Sequence, residues 1–227
     1  MKISWLACIL AGAVSGQANL ITNGSFENPV VPVGSFENFI AGSTGLTGWT
    51  VDGPEVSIVN GAYTSECCAF PAEDGNQWLD LTGDESNSLE GVQQTVATVA
   101  GTQYNLSFWV GNTYDPGGIY GTTSTVDVLL GGVAGSLLGA FTNDSTTKGT
   151  LVWEQFSTSF TATGSSTTLV FLNADPASDN SNGLDNISLV AGTAAVPEPS
   201  VLPFVGAGLF GFALVRRRVR SVKQLRG

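Results

Sequence analysis

Four aromatic residues, Tyr63, Phe70, Tyr114 and Tyr120, fall in turn-rich stretches beside Asp, Glu and Asn residues. An aromatic face next to planar polar groups is the combination that binds a sugar. The ring packs against the C–H face, and carboxylates or amides take the hydroxyls. The same composition is ordinary for an exposed loop, so these four are candidate ligand-binding residues with a bland alternative. Trp49, Trp78, Trp109 and Trp153 are larger platforms, but each lies within a strand-like run, and burial is expected for most of them.

Catalytic chemistry is poorly supplied. The 227 residues contain no histidine, which removes Ser-His-Asp and Cys-His arrangements. Paired carboxylates serve glycoside hydrolysis, but no spacing here marks two of them as facing each other across a cleft. Gly131-Gly132-Val133-Ala134-Gly135 lacks a P-loop lysine, and the Asp- and Asn-rich stretch 175–185 is out of register with a calcium-binding EF-hand. Zinc has no ligand pattern. Cys67 and Cys68 are adjacent and cannot staple distant segments. They form a strained bond to each other, stay free, or pair between molecules.

The two ends read as addresses. Lys2, the apolar run Ile3–Val14 and the small-residue site Gly16-Gln17-Ala18 have the order of a signal peptide over residues 1–18. Cys8 comes too early for lipidation. At the other end Pro197-Glu198-Pro199 precedes an apolar run, Val201–Val215, and then a basic cluster with Arg216, Arg217, Arg218, Arg220, Lys223 and Arg226. Fifteen helical residues reach about 22 Å, short of a roughly 30 Å hydrocarbon core, unless flanking residues and snorkelling arginines extend the span. The arginines are expected to stay cytoplasmic, leaving the upstream chain outside. That tail resembles the PEP-CTERM sorting signal of bacterial surface proteins. The resemblance implies handling by a membrane exosortase, transient inner-membrane anchoring, and delivery to the envelope surface or extracellular matrix. The alternative is a single-pass anchor that is never cut. The organisation expected is a signal peptide (1–18), a β domain (19–190), a linker (191–196), the sorting signal (197–220) and a basic cytoplasmic tail (221–227).

Between the two signals, residues 19–199 hold all nineteen acidic residues against one base, Lys148, a formal charge of −18, whereas the whole chain carries −11. Such a field repels nucleic acid and anionic lipid and favours cations, especially hard divalent ones. The bland reading of the charge is solubility.

Short alternating or β-branched runs recur between turn clusters: 48–51, 55–59, 77–81, 89–99, 103–110, 124–130, 136–141, 151–161, 167–173 and 183–190. In Tyr104-Asn105-Leu106-Ser107-Phe108-Trp109-Val110 the large apolar residues at 104, 106, 108 and 110 mark a strand with one buried face. About ten strands in one domain predict an antiparallel β-sandwich.

Asn19-Leu20-Ile21-Thr22-Asn23-Gly24-Ser25-Phe26-Glu27 looks like the opening of galactose-binding-like jelly rolls. Gly48-Trp49-Thr50-Val51, the segments 74–81, 92–96 and 153–160, and Gly183-Leu184-Asp185-Asn186-Ile187-Ser188-Leu189 follow in the same order. Together they resemble the bacterial choice-of-anchor C family and its plant cell-wall relatives. The resemblance implies an all-β, antiparallel jelly-roll sandwich. It also implies a structural Ca2+ shared by Glu27, just after a first strand, and Asp185, in the last, with backbone carbonyls and the Asn23 side chain completing the shell. The alternative is that Glu27 caps a turn and Asp185 accepts backbone amides. The segment Gly24-Ser25-Phe26-Glu27-Asn28 recurs as Gly34-Ser35-Phe36-Glu37-Asn38, which reads as a local duplication with Glu37 exposed. The function expected is non-catalytic: a surface or matrix protein contacting polysaccharide. The alternatives are a purely structural calcium-bridged matrix protein and a weak glycan hydrolase.

Overall fold

The computed structural model describes residues 17–43, 45–65, 67–84 and 90–192. The signal-peptide core, the linker from residue 193, the Pro-Glu-Pro motif, the apolar run and the Arg cluster lie outside them. Among the described residues no helix is long and apolar enough to cross a membrane.

Eleven strands are seen among the described residues: β1 (Phe36–Ile40), β2 (Thr50–Asp52), β3 (Glu55–Asn60), β4 (Gln77–Asp80), β5 (Gly91–Ala97), β6 (Gln103–Asn112), β7 (Ser124–Leu130), β8 (Ser136–Asn143), β9 (Val152–Thr161), β10 (Ser166–Asn173) and β11 (Gly183–Ala191). They form an antiparallel jelly-roll β-sandwich. One sheet has the order β1-β3-β4-β11-β6-β9, the other β2-β5-β10-β7-β8.

Side-chain alternation makes the sandwich. Tyr104, Leu106, Phe108 and Val110 of β6 all point into the core, as do Ile58, Leu79, Leu184 and Leu189 from the same sheet. Val92, Val126, Val128, Leu169 and Phe171 meet them from the facing sheet. Phe108 sits at the centre, edge-on to Phe171 at 5.4 Å and to Phe141 at 5.1 Å between ring centroids. The neighbours of these core residues in β3 and β4, Val59 and Trp78, must then face outward. They are nevertheless buried, in a second apolar cluster with Cys68, Phe70 and Leu151 on the outer side of the six-stranded sheet.

Two expectations about the start of the domain change. Residues 19–35 hold no strand. Asn23 and Phe26 adopt positive φ (55° and 53°), and Pro29 and Pro32 carry no amide hydrogen for a ladder. The segment instead lies along β11 through isolated bonds, Leu20 N to Leu189 O at 2.9 Å and Ile187 N to Gly24 O at 3.0 Å. The second change is β1. It forms where the pentapeptide recurs, and its edge position leaves only Phe39 buried, so it carries no apolar alternation to read.

Candidate functional site

The outward cluster floors a cleft of about 270 Å³, lined by Phe36, Ser57, Val59, Tyr63, Phe70, Trp78, Asp80, Gly83, Asp84, Ile119, Tyr120 and Asn180. Strand register puts its floor together. Phe36 stands opposite Val59 and Val59 opposite Trp78, one row across β1, β3 and β4. Ser57 stands opposite Asp80 in the next row along. Loops complete the cleft: β3–β4 gives Tyr63 to the wall and Phe70 to the floor, β6–β7 gives Ile119 and Tyr120, and β10–β11 gives Asn180.

The aromatic rings form a connected set. Phe36 meets Tyr63 edge-on at 5.5 Å, Tyr63 meets Phe70 at 5.6 Å, and Phe70 meets Tyr120 edge-on at 5.3 Å. Phe70 also stacks on Trp78 at 6.2 Å. The Trp78 indole N–H donates to Phe70 O at 3.1 Å, which satisfies its polar atom beneath the cleft. Phe70, expected at the surface, is 3 % exposed and belongs to the floor; Phe36, at 36 %, with the half-buried Tyr63 and Tyr120, offers the accessible faces. Tyr114 lines no part of this cleft. Lys148 Nζ lies over its ring at 5.9 Å. Trp49 and Trp78 are buried, Trp109 and Trp153 half-buried.

Cys67 and Cys68 are bonded to each other. Their loop doubles back through Ser65 N to Cys68 O and Phe70 N to Tyr63 O, and is tied to the body by Leu151 N to Ala69 O at 2.8 Å. Cys68 packs into the cluster beneath the cleft. The bonded pair thereby fixes the turn that sets Tyr63 against Phe70.

Asp80 supplies the polar side of the floor. Its Oδ1 accepts from Thr82 N, Thr82 Oγ1 and Asn182 N at 3.0, 2.8 and 3.1 Å. Burial still outweighs these donors and pushes its carboxyl up to about 6. Burial also raises the Tyr63 phenol, with smaller contributions from Tyr120 and Asp84.

Behind Asp80 a buried polar network closes one end of the sandwich. Asn182 Nδ2 donates to Thr125 O at 2.6 Å and to Asn173 Oδ1 at 2.7 Å. Thr125 N donates to Asp175 Oδ1 at 2.6 Å. Asp175 Oδ2 and Asn182 Oδ1 are buried and have no hydrogen-bond partner among the described residues. Burial, helped by the negative charges of Asp179 and Asp80, pushes the Asp175 carboxyl up to about 7.

Glu27 and Asp185 converge on one segment, residues 73–77. Glu27 Oε1 accepts Asn76 N and Gln77 N at 2.6 and 2.8 Å. Asp185 Oδ2 accepts Glu73 N and Asp74 N at 2.9 and 3.1 Å, and its Oδ1 accepts Asn186 N at 2.7 Å. Gly75 has φ +72°, and a Cβ there would stand 2.5 Å from Glu27 Oε1, so the backbone approaches that carboxylate as only glycine allows. Asn23 Oδ1 accepts Asn28 N and so organises its own turn. Each of the two carboxylates accepts backbone N–H donors, and the Glu73 and Asp74 carboxylates stand on the same segment, Glu73 accepting from Asn186 Nδ2 at 2.8 Å and Asp74 from Ser25 Oγ at 2.7 Å. No group of three or more His, Cys, Asp or Glu residues converges as a metal site among the described residues. Glu27 Oε1 and both Asp185 oxygens are engaged by N–H donors, whereas calcium takes six to eight oxygen ligands. The clasp holds the segment that leads into β4 and hence into the cleft floor. Burial pushes the Asp185 carboxyl up to about 8, against the pull of its amide donors.

Residues 19–189 match a family described as "Protein of unknown function (DUF642)". The chain belongs to the DUF642 family. A curated relative is Halomucin of Haloquadratum walsbyi, 31 % identical over 185 residues, which are 79 % of this chain. The chain spans 2 % of that protein's length. Among solved structures, a family 16 carbohydrate-binding module is 24 % identical, with TM-score 0.42 over 76 % of this chain and 99 % of its own. The CBM22-1 xylan-binding domain of Paenibacillus barcinonensis Xyn10C is 20 % identical, with TM-score 0.40 over 73 % of this chain and 99 % of its own.

Of the loop aromatics singled out from sequence, this DUF642 domain brings Tyr63, Phe70 and Tyr120 together and leaves Tyr114 apart. Sequence reasoning missed Phe36, Asp80, Asp84, Ile119 and Asn180. The signal available for Asp80 was positional: its chain neighbours Leu79 and Leu81 point into the core, so it faces outward; the edge strand β1 gave no such signal for Phe36. Chemically the cleft offers three partly open aromatic faces, two carboxylates, a hydroxyl and an amide.

Proposed function

We propose that this DUF642 protein is an exported, non-catalytic surface or matrix protein that contacts polysaccharide through the cleft between β1, β3, β4 and the three loops above them. The observation that carries this reading is the connected ring set of Phe36, Tyr63, Phe70 and Tyr120, opening beside Asp80, Asp84 and Asn180. Stacking faces with hydroxyl acceptors at their edge are what a sugar ring requires. Export rests on the terminal signals, with an exosortase as the sorting partner and the C-terminal apolar run as a transient membrane anchor. Replacing Tyr63 and Tyr120 together by alanine is expected to weaken retention on polysaccharide by tenfold or more, roughly 1 kcal/mol for each lost face. Tyr114→Ala, outside the cleft, serves as the control and should leave retention unchanged. Equal retention of the wild type and the double variant would remove the cleft as the contact.

A further inference from the structure

We infer that the glycan this cleft selects is cationic, a polysaccharide carrying free amino groups, of the 2-amino-2-deoxyhexose type. The inference rests on the polysaccharide reading of the same cleft and adds the charge of the ligand.

Three observations point to it. First, the open rings of Phe36, Tyr63 and Tyr120 stand on a floor of Phe70 and Trp78. Several aromatic faces around one small cavity form the arrangement that holds an ammonium group by its attraction to the ring quadrupoles. Second, the charged groups in the lining are both acids, Asp80 from the floor and Asp84 from the rim. Asp84 is exposed and lines the same cleft as Tyr63. Third, no basic residue lines the cleft. The single base between residues 19 and 199 is Lys148, and it lies over Tyr114, which is not part of the cleft.

These facts rank the sugar classes. A uronate or sulfated sugar would bring its anion beside Asp80 and Asp84 with no counter-charge, inside a domain whose field already repels it. A neutral sugar meets the rings and hydroxyl acceptors and gains nothing from the negative charge of the acids. An amino sugar uses both halves: its ring stacks, and its ammonium sits between aromatic faces and a carboxylate. The cavity, about 270 Å³, is near the lower end of the usual range of roughly 300–1,000 Å³. It suits the recognition of a single ring within a longer chain, with affinity built by repetition along the polymer.

The test is calorimetric titration of the full-length protein with oligosaccharides of equal length at near-neutral pH, above the value of about 6 to which burial pushes the Asp80 carboxyl. The ligands are a glucosamine oligomer, its N-acetylated counterpart, a cello-oligosaccharide and an oligogalacturonate. The glucosamine oligomer should bind about tenfold more tightly than the N-acetylated one, and that margin should shrink with added salt. The oligogalacturonate should bind least. Asp84→Asn should remove most of the margin while changing binding of the neutral oligomers far less, since asparagine takes away the charge and keeps a hydroxyl acceptor at the same place. Equal affinity for the amino and N-acetylated oligomers overturns the inference and leaves the polysaccharide reading standing. A margin that survives both Asp84→Asn and Tyr120→Ala overturns it too, because the preference then lies elsewhere on the acidic surface. Choline alone binding as tightly as the glucosamine oligomer would assign the cage to a small ammonium ligand instead of a sugar chain. Failure of every oligosaccharide to bind defeats the polysaccharide reading itself.

Discussion

Asp175→Asn should stabilise this domain at neutral and alkaline pH and do almost nothing in acid. Asp175 is 3 % exposed; its Oδ1 accepts Thr125 N, while Oδ2 has no hydrogen-bond partner among the described residues. Burial, with Asp179 and Asp80 adding like charge, raises its carboxyl from 3.8 to about 7. The folded state therefore holds that proton more tightly than the unfolded chain does. The associated stability is fully present below 3.8 and is lost as pH rises through about 7. At about 1.4 kcal/mol per pH unit, the loss has a ceiling of about 4 kcal/mol, and local relaxation or water entry lowers it toward about 2 kcal/mol. Asparagine is nearly the same shape, keeps an acceptor for Thr125 N, and carries no charge at any of these pH values. It also supplies an amide donor to a network in which Asn182 Oδ1 lacks one. For a domain of this size each kcal/mol moves Tm by roughly 2–4 °C, so a rise on the order of 10 °C is expected at about pH 8. Thermal melts of both proteins from about pH 4 to about pH 9 follow the difference, which should grow until about pH 7 and level off above it. A variant less stable than wild type at alkaline pH would refute the reasoning. So would a Tm difference of the same size at both ends, because ionisation would then not be its source.

Two further outcomes test the clasp and the tail. Calcium and magnesium should stabilise the protein about equally, by screening its acidic field, with no loss in Glu27→Gln or Asp185→Asn; stabilisation by calcium alone, abolished in both variants, would show that the two carboxylates share an ion after all. If the C-terminal segment is a sorting signal, intact mass of the surface-exposed protein should lack residues 1–18 and the Arg216–Arg218 cluster; their presence in the fully exported form would leave a plain membrane anchor.

The repeated pentapeptide shows where legibility stops. Gly24-Ser25-Phe26-Glu27-Asn28 and Gly34-Ser35-Phe36-Glu37-Asn38 are identical, yet they share neither conformation nor role. In the first copy Phe26 takes φ 53° and is fully buried against Trp49 at 5.5 Å, while Glu27 gathers the amides of Asn76 and Gln77. In the second copy the same residues open an edge strand, Phe36 turns to the cleft, and Glu37 stands in solvent. Five residues fix neither outcome; the partners do, β11 for one copy and β3 for the other. The strands of the sandwich were legible because burial on one face imposes a period of two, as in Tyr104, Leu106, Phe108 and Val110. The cleft was legible only in part. Tyr63, Phe70 and Tyr120 advertised themselves as aromatic residues in polar loops, but that composition holds equally for Tyr114, which the fold leaves under Lys148. Phe36 and Asp80 enter the site through register, Phe36 against Val59 and Asp80 against Ser57, and register between strands far apart in the chain is set by the whole sandwich. The cleft is therefore a property of the assembled sheet. A substitution that shifted β1 by one residue would turn Phe36 away from it while leaving every lining residue unchanged in the sequence.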